Sequence, residues 1–335
     1  MAAMEPAAAA AALGLGDLRG PVGILKRDEL SPVWRLETDS GAWVVKAIAP
    51  HGDYWFDDVA QTGRLEAAAW RAGVDMAEPF FPAGDASGMW APVGDGVHAR
   101  AARFLEGAPA PAPVPPHLAE WAGATFAALE RLAIAPDPDG AGDYAFRFHP
   151  ESDWDEWLGQ ARDLGVLDAA GARALKDAAL RIAAIGEAAV AAKPATLVVH
   201  GDFSHLNIMV TPDGPKLIDF DSGGPNVPWW ELVAIAIEMG APGLGVMEPD
   251  RASIDACLAG YAAAGGRIQD AGESAFIGIL AGRLSSAAWQ LWMACGHRGG
   301  SAEQQAQFGR DLRGSVTALT TMLDAVPTWA TWLKG

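Results

Sequence analysis

Cysteine is almost missing from this chain: Cys257 and Cys295 are the only two in 335 residues. Two are too few for a disulfide framework and fit a reducing compartment, which excludes a small secreted scaffold. Tyrosine is scarce as well, with three against fourteen tryptophans, so aromatic recognition of a ligand would fall on indole rings. Positive charge is in deficit: 24 Lys and Arg face 42 Asp and Glu, a formal net charge of −18. Affinity for nucleic acid rests on cations that neutralise phosphates, so no nucleic-acid partner is expected. Such a field maintains solubility and favours cationic ligands. A long apolar run is missing too. The most apolar stretch, Leu232 to Met247, is broken by Glu238 and several glycines, so no membrane span is expected. Met1 to Gly16 is Ala-rich, has no basic segment and carries Glu5 and Pro6, unlike a secretion signal. Residues 1–20 are expected as a flexible tail, frayed or partly helical, and the protein as cytoplasmic.

What is present is ordered along the chain. Val33 to Glu37 and Ala42 to Ile48 alternate as short strands around Thr38-Asp39-Ser40-Gly41, a hairpin turn. Gln61 to Ala72 reads as a helix stopped by Gly73, and Phe80 to Ala83 and Ala99 to Phe104 as further strands. Ala108 to Pro116, APAPAPVPP, is stiff and extended. Directly after it, Leu118, Trp121, Ala122, Thr125, Phe126, Leu129 and Leu132 share one helical face. Further helices are expected over Trp154–Gln160, Ala170–Ala192, Trp230–Glu238, Ile254–Ala264, Ser274–Cys295 and Glu303–Ala325, with a β-like island at Thr196–Phe220. The pattern predicts an α+β chain, with a small β-rich lobe at residues 21–107 and a large helical lobe at 108–335.

The island carries the chemistry. LVVHGDFSHLNIMV, from Leu197 to Val210, sets two apolar runs around a polar loop, with Asp202 and Asn207 five residues apart. A turn at Thr211-Pro212-Asp213-Gly214 leads to Lys216-Leu217-Ile218-Asp219-Phe220-Asp221. Asp202 can accept a proton from a hydroxyl, while Asn207 and Asp219 offer oxygen ligands to a hard cation such as magnesium. Phosphoryl transfer needs this division of labour, because its loose transition state is served by positioning and charge neutralisation. An Asp-x-x-x-x-Asn spacing followed by Asp-Phe matches the kinase catalytic loop and metal aspartate. Asp and Asn in turns also commonly bond only their own backbone.

HGDFSHLN followed by LIDFD resembles the aminoglycoside phosphotransferase and choline kinase superfamily, whose pattern is roughly HGDxxxxN and then IDF. The resemblance covers about Gly23 to Trp292, with its specificity concentrated between Leu197 and Leu232. It implies a protein-kinase-like two-lobe fold, ATP or GTP and Mg2+ as cofactors, Asp202 as catalytic base, and Asn207 and Asp219 as metal ligands. His200 and Asp221 are implied as supporting residues. Glu231 stands where the family has an aspartate, a conservative departure. In the front half, alternation puts Lys46 on one face with Val44 and Ile48, as a phosphate-binding lysine requires; an edge-strand lysine reaching water is the plain alternative. Glu66, twenty residues later on a helix, is expected to pair with Lys46. The glycine-rich kinase loop is missing from Lys26 to Trp34, leaving Ser31 as the candidate turn residue over the phosphates. Phe104 and Leu105 are expected to line the base pocket.

The substrate is read as a small, cationic molecule. Glu151 to Trp157 is acidic and Trp-bearing, so Asp153, Asp155 and Glu156 could hold ammonium groups and indole faces could hold alkylated ones. Acids at a helix start also simply suit its dipole. Trp230 is a further substrate candidate, whereas the helical spacing of Trp289 and Trp292 suggests core. Three functions remain open: an antibiotic-inactivating O-phosphotransferase, a metabolic kinase for choline, an amino alcohol or a sugar, and a pseudokinase that binds without turnover.

Overall fold

The computed structural model describes residues 5–26, 31–48, 53–82, 89–137, 148–241, 248–269, 272–297 and 300–333. The glycine-free loop after Lys26 and the end of the apolar stretch before Met247 lie partly outside them. The chain divides into two compact units. The first takes the described residues up to Ala110, residues 128–137 and Leu197–Pro225; the second takes residues 111–127, 148–196 and those from Asn226 onward. The β-like island therefore belongs with the β-rich first unit, although it follows the proline-rich break by some eighty residues.

The first unit is built on an antiparallel sheet of β1 (Gly23–Lys26), β2 (Val33–Thr38), β3 (Gly41–Ile48), β4 (Ala91–Gly94) and β5 (Val97–Arg103), in the order β1-β2-β3-β5-β4. Thr38 pairs with Gly41 across the predicted turn. Alternation gives the sheet two faces. Trp34, Leu36, Trp43, Val45, Ala47, Ala99 and Ala101 are buried in one core. On the other face, Val33, Lys46 and Arg100 align in register, with Val44 beside Ala102.

The apolar face must be covered, and this corrects the expected flexible tail. Pro6–Leu13 forms a helix, α1, whose Ala9, Ala10 and Leu13 are buried with Leu15 against Trp34 and Trp43. Alanine and leucine seal a flat sheet without leaving cavities. In place of the strand expected from Phe80, Pro79 forms an isolated bridge to Ala102 and the Phe80 N–H donates to the Ala101 carbonyl at 2.9 Å. Helix α2 spans Asp53–Arg71, starting earlier than its sequence pattern suggests. The island supplies strands at Leu197–Val199, Ile208–Thr211 and Gly214–Leu217; the last two join Ala108–Pro109 in a three-stranded sheet.

The second unit is helical: α3 (Pro116–Arg131, which runs on into the first unit), α4 (Glu151–Asp163), α5 (Ala169–Ala191), α6 (Pro228–Gly240), α7 (Arg251–Ala263), α8 (Ile277–Ala294) and α9 (Ala302–Trp332). Glycines let α3 and α7 touch. A Cβ on Gly123 would lie 1.9 Å from the Cys257 carbonyl oxygen, and one on Gly260 would lie 2.0 Å from that of Glu120. Helix α9 opens on a capping box between Ser301 and Gln304. It outruns its predicted end because Leu319, Met322, Leu323, Val326, Trp329 and Ala330 sustain one buried stripe.

Candidate active site

The loop between Val199 and Ile208 is shaped by its own polar groups. Gly201 adopts φ +76°, and a Cβ there would meet the Ser222 carbonyl oxygen at 2.2 Å, so only glycine suits this position. His200 ties the loop to the strand after it. Its Nδ1 accepts from the Asp202 N–H at 3.3 Å, and its Nε2–H donates to the Ile218 carbonyl at 3.1 Å. Burial pushes its pKa down to about 4, against the upward pull of that carbonyl, so the ring is neutral near pH 7 in the tautomer these bonds require.

Asn207 donates through Nδ2 to the Asp202 carbonyl at 2.7 Å and to its carboxylate Oδ2 at 2.8 Å. Asn207 is buried while Asp202 stands exposed at the surface of the unit. The Ile218 N–H in turn donates to the Asn207 carbonyl at 3.0 Å. Asp219 follows in the left-handed region, φ 61° and ψ 69°, a conformation that costs a non-glycine residue and clusters at functional sites.

The sheet face supplies the cations. Lys46 lies 3.2 Å from Asp219 Oδ1 and pairs more closely with Asp221 Oδ2. Burial would lower its pKa, but Asp221 and Asp219 together raise it. The expected Lys46–Glu66 pair is corrected here. Glu66 is taken by Arg100, whose other arm holds Asp221 Oδ1. Burial pushes the Glu66 carboxyl up to about 7 despite Arg100. Asp221 would also be raised by burial, but Arg100 and Lys46 hold it below the usual carboxylate range.

Arg100 is a member of this cluster that the sequence reading did not single out. Its signal was an arginine between two alanines, Ala99 and Ala101, in a strand whose alternation sets it apart from Arg103 on the opposite face. Lys46, Glu66, Arg100, Asp219 and Asp221 thus meet in one cluster, in which the side chains of Glu66, Arg100 and Asp221 are buried.

The cluster borders a cavity of about 410 Å³ within the first unit. Apolar Leu25, Val33, Val44, Ala102, Phe104 and Leu105 line it, alongside Lys46, Glu66, Arg100, Asp219 and Asp221. Arg35 covers the Phe104 ring at 4.0 Å. Ser31 accepts from the Lys26 ammonium at 3.2 Å and is not among the residues lining that cavity.

In the second unit, Glu231 accepts from the Asn226 side chain at 3.3 Å and both are buried. Trp230 is 5% exposed and is not among the residues lining the cavity of the first unit. Asp155 is engaged by Lys176 at 2.6 Å, together with Glu151 at 2.8 Å. Asp153 lies 3.7 Å from His149, and Glu156 is exposed on the same helix. His149 meets Trp157 and Trp292 edge to face at 4.7 and 5.7 Å. A cavity of about 160 Å³ adjoins them, lined by His149, Trp154, Leu284, Trp289 and Trp292 among others. Trp289 and Trp292 are therefore cavity walls rather than the core their spacing suggested. Among the described residues, no helix is long and apolar enough to cross a membrane, and no three His, Cys, Asp or Glu side chains cluster as a metal site.

Fold and cluster together define a phosphotransferase of the kinase type, acting on an alcohol group. The chain belongs to the phosphotransferase enzyme family, whose profile it matches over residues 24–274. Its fold is similar to that of a spectinomycin phosphotransferase solved with ADP and spectinomycin (12% identity, 94% of this chain and 98% of that one, TM-score 0.62). It is similar also to a microcompartment-associated aminopropanol kinase (15%, 94% and 97%, TM-score 0.59). A third likeness is to a choline/ethanolamine kinase family protein from Mesorhizobium loti (20%, 93% and 96%, TM-score 0.55). No curated protein sequence matches significantly.

Proposed function

We propose that the chain moves the γ-phosphate of ATP or GTP onto a hydroxyl of a small cationic molecule, an antibiotic as in aminoglycoside phosphotransferases. The carrying observation is that one unit holds both halves of the chemistry. Lys46 and Asp219 pair at the cavity, and Asn207 orients the exposed carboxylate of Asp202. Asp202 accepts the proton of the attacking hydroxyl. Lys46 places its charge on the nucleotide phosphates, and the apolar lining, including Phe104 and Leu105, receives the base.

The donor set fits magnesium, a hard cation content with few protein oxygens. The Asn207 amide nitrogen is committed to Asp202, so its Oδ1 is the end left to face a cation, and the Asp219 carboxylate is 44% exposed. Asn207 and Asp219 would hold the ion, which when bound neutralises charge on the transferring phosphates.

A cationic substrate is supported by the net charge of −18 and by Asp153 beside an indole-walled cavity. The similarity to a spectinomycin kinase supports an antibiotic. A second reading, a metabolic amino-alcohol kinase, is favoured by the likeness to aminopropanol and choline/ethanolamine kinases. The test is mass spectrometry after incubation with Mg-ATP or Mg-GTP across an antibiotic panel and an amino-alcohol panel. A compound gaining one phosphoryl group decides between them. The Asp202→Asn variant is expected to fold normally and turn over at least about 10²-fold more slowly; undiminished turnover would remove Asp202 from the base role. A wild-type chain that neither transfers phosphate nor binds nucleotide would return the pseudokinase reading.

A further inference from the structure

Lys46 on β3 and Arg100 on β5 are direct cross-strand partners, so two cations stand side by side on the cavity face of one sheet. Like charges so placed repel each other unless an anion lies between them. Asp221 is that anion: its Oδ1 binds Arg100 and its Oδ2 binds Lys46. The second arm of Arg100 holds Glu66. The guanidinium holds the two carboxylates through separate nitrogens of a rigid planar fork, Nη2 for Glu66 and Nη1 for Asp221, a fixed geometry that the single ammonium nitrogen of a lysine does not reproduce.

We propose that Arg100 is a positioning residue of the phosphotransferase: by occupying Glu66 and one oxygen of Asp221, it leaves Lys46 beside Asp219 to meet the phosphates of the nucleotide. Arg100 itself is 8% exposed with both arms engaged, whereas Lys46 keeps 21% of its side chain exposed. Without Arg100 the full charge of Asp221 falls on Lys46, drawing the ammonium away from Asp219 and neutralising it. The inference rests on the cavity being a nucleotide site, and the experiment separates the two claims.

Removing Arg100 alone would leave Glu66 buried without its cation, so the test uses the double variant Arg100→Met/Glu66→Gln. Arg100→Lys, which keeps charge but not the fork, serves as a second, independent variant. Binding of adenosine and of Mg-ADP is measured by calorimetry for each protein, alongside thermal melting. Adenosine reports the apolar lining alone, whereas ADP adds the phosphates that Lys46 would meet. The expected result is a melting temperature and adenosine affinity close to wild type, with Mg-ADP bound about 10-fold more weakly, or about 1.4 kcal/mol. Undiminished ADP affinity in either folded variant would overturn the proposal. Equal losses for adenosine and ADP would also overturn it, because they would mark a structural role only. A wild-type protein that binds neither would instead overturn the nucleotide reading itself.

Discussion

Replacing Glu66 by glutamine tests the charge cluster through stability rather than activity. The carboxyl is 3% exposed; its Oε1 binds Arg100, and its Oε2 is buried without a hydrogen-bond partner. Burial carries its pKa from 4.5 to about 7 against the pull of Arg100. The folded state therefore binds a proton at Glu66 more tightly than the unfolded chain does. Such a group contributes stability that is full below pH 4.5 and lost as pH rises through about 7. At about 1.4 kcal/mol per pH unit, that loss is about 3 kcal/mol. Glutamine mimics the neutral acid, keeps an acceptor for Arg100 and does not titrate. Unfolding free energies from urea titrations of both proteins, measured between about pH 4 and 8, should diverge by about 3 kcal/mol in favour of the variant.

The comparison must be a difference, because His200 acts in the opposite sense. Its pKa is lowered from 6.5 to about 4, so its contribution is full above 6.5 and lost as pH falls through about 4. The two effects largely offset each other in the wild-type curve, while subtraction cancels His200. Parallel curves for the two proteins would refute the reasoning and show that Glu66 titrates alike in the folded and unfolded chain, with Arg100 fully compensating its burial.

Two further predictions concern the helical unit. Gly123→Ala should destabilise the chain by about 1–3 kcal/mol or more in denaturant titration, since its Cβ would lie 1.9 Å from the Cys257 carbonyl oxygen, a backbone atom; an unchanged midpoint would contradict the α3–α7 contact. Burial pushes the Cys257 thiol up to about 12, so iodoacetamide near pH 8 should label Cys295, which is partly exposed, well before Cys257. Native-state labelling of Cys257 at an equal rate, read by peptide mass mapping, would contradict its burial.

How much of this was legible in the sequence follows from the distance over which each feature is determined. Asp202, Asn207 and the turn into Asp219 lie within one hairpin, where Gly201 and His200 act on near neighbours, so a single contiguous string carried them. Lys46 was placed by alternation on one face with Val44 and Ile48, while Trp34, Leu36 and Trp43 form the buried face of the same sheet. The docking of α1 was not legible, because a run of alanines has no distinctive apolar stripe; only the need to cover the tryptophans of the sheet gives it a role. The partner of Glu66 was hidden for a different reason. Composition and spacing nominate lysine or arginine equally, and the choice is made by register. Arg100 lies opposite Lys46 with the doubly liganded Asp221 between them, and Glu66 reaches only the arginine. The fork of Arg100 gives each of two carboxylates its own nitrogen, Nη2 for Glu66 and Nη1 for Asp221, whereas Lys46 presents one nitrogen to Asp219 and Asp221. That match of one fork to two carboxylates from separate elements becomes visible only once strands β3 and β5 are aligned.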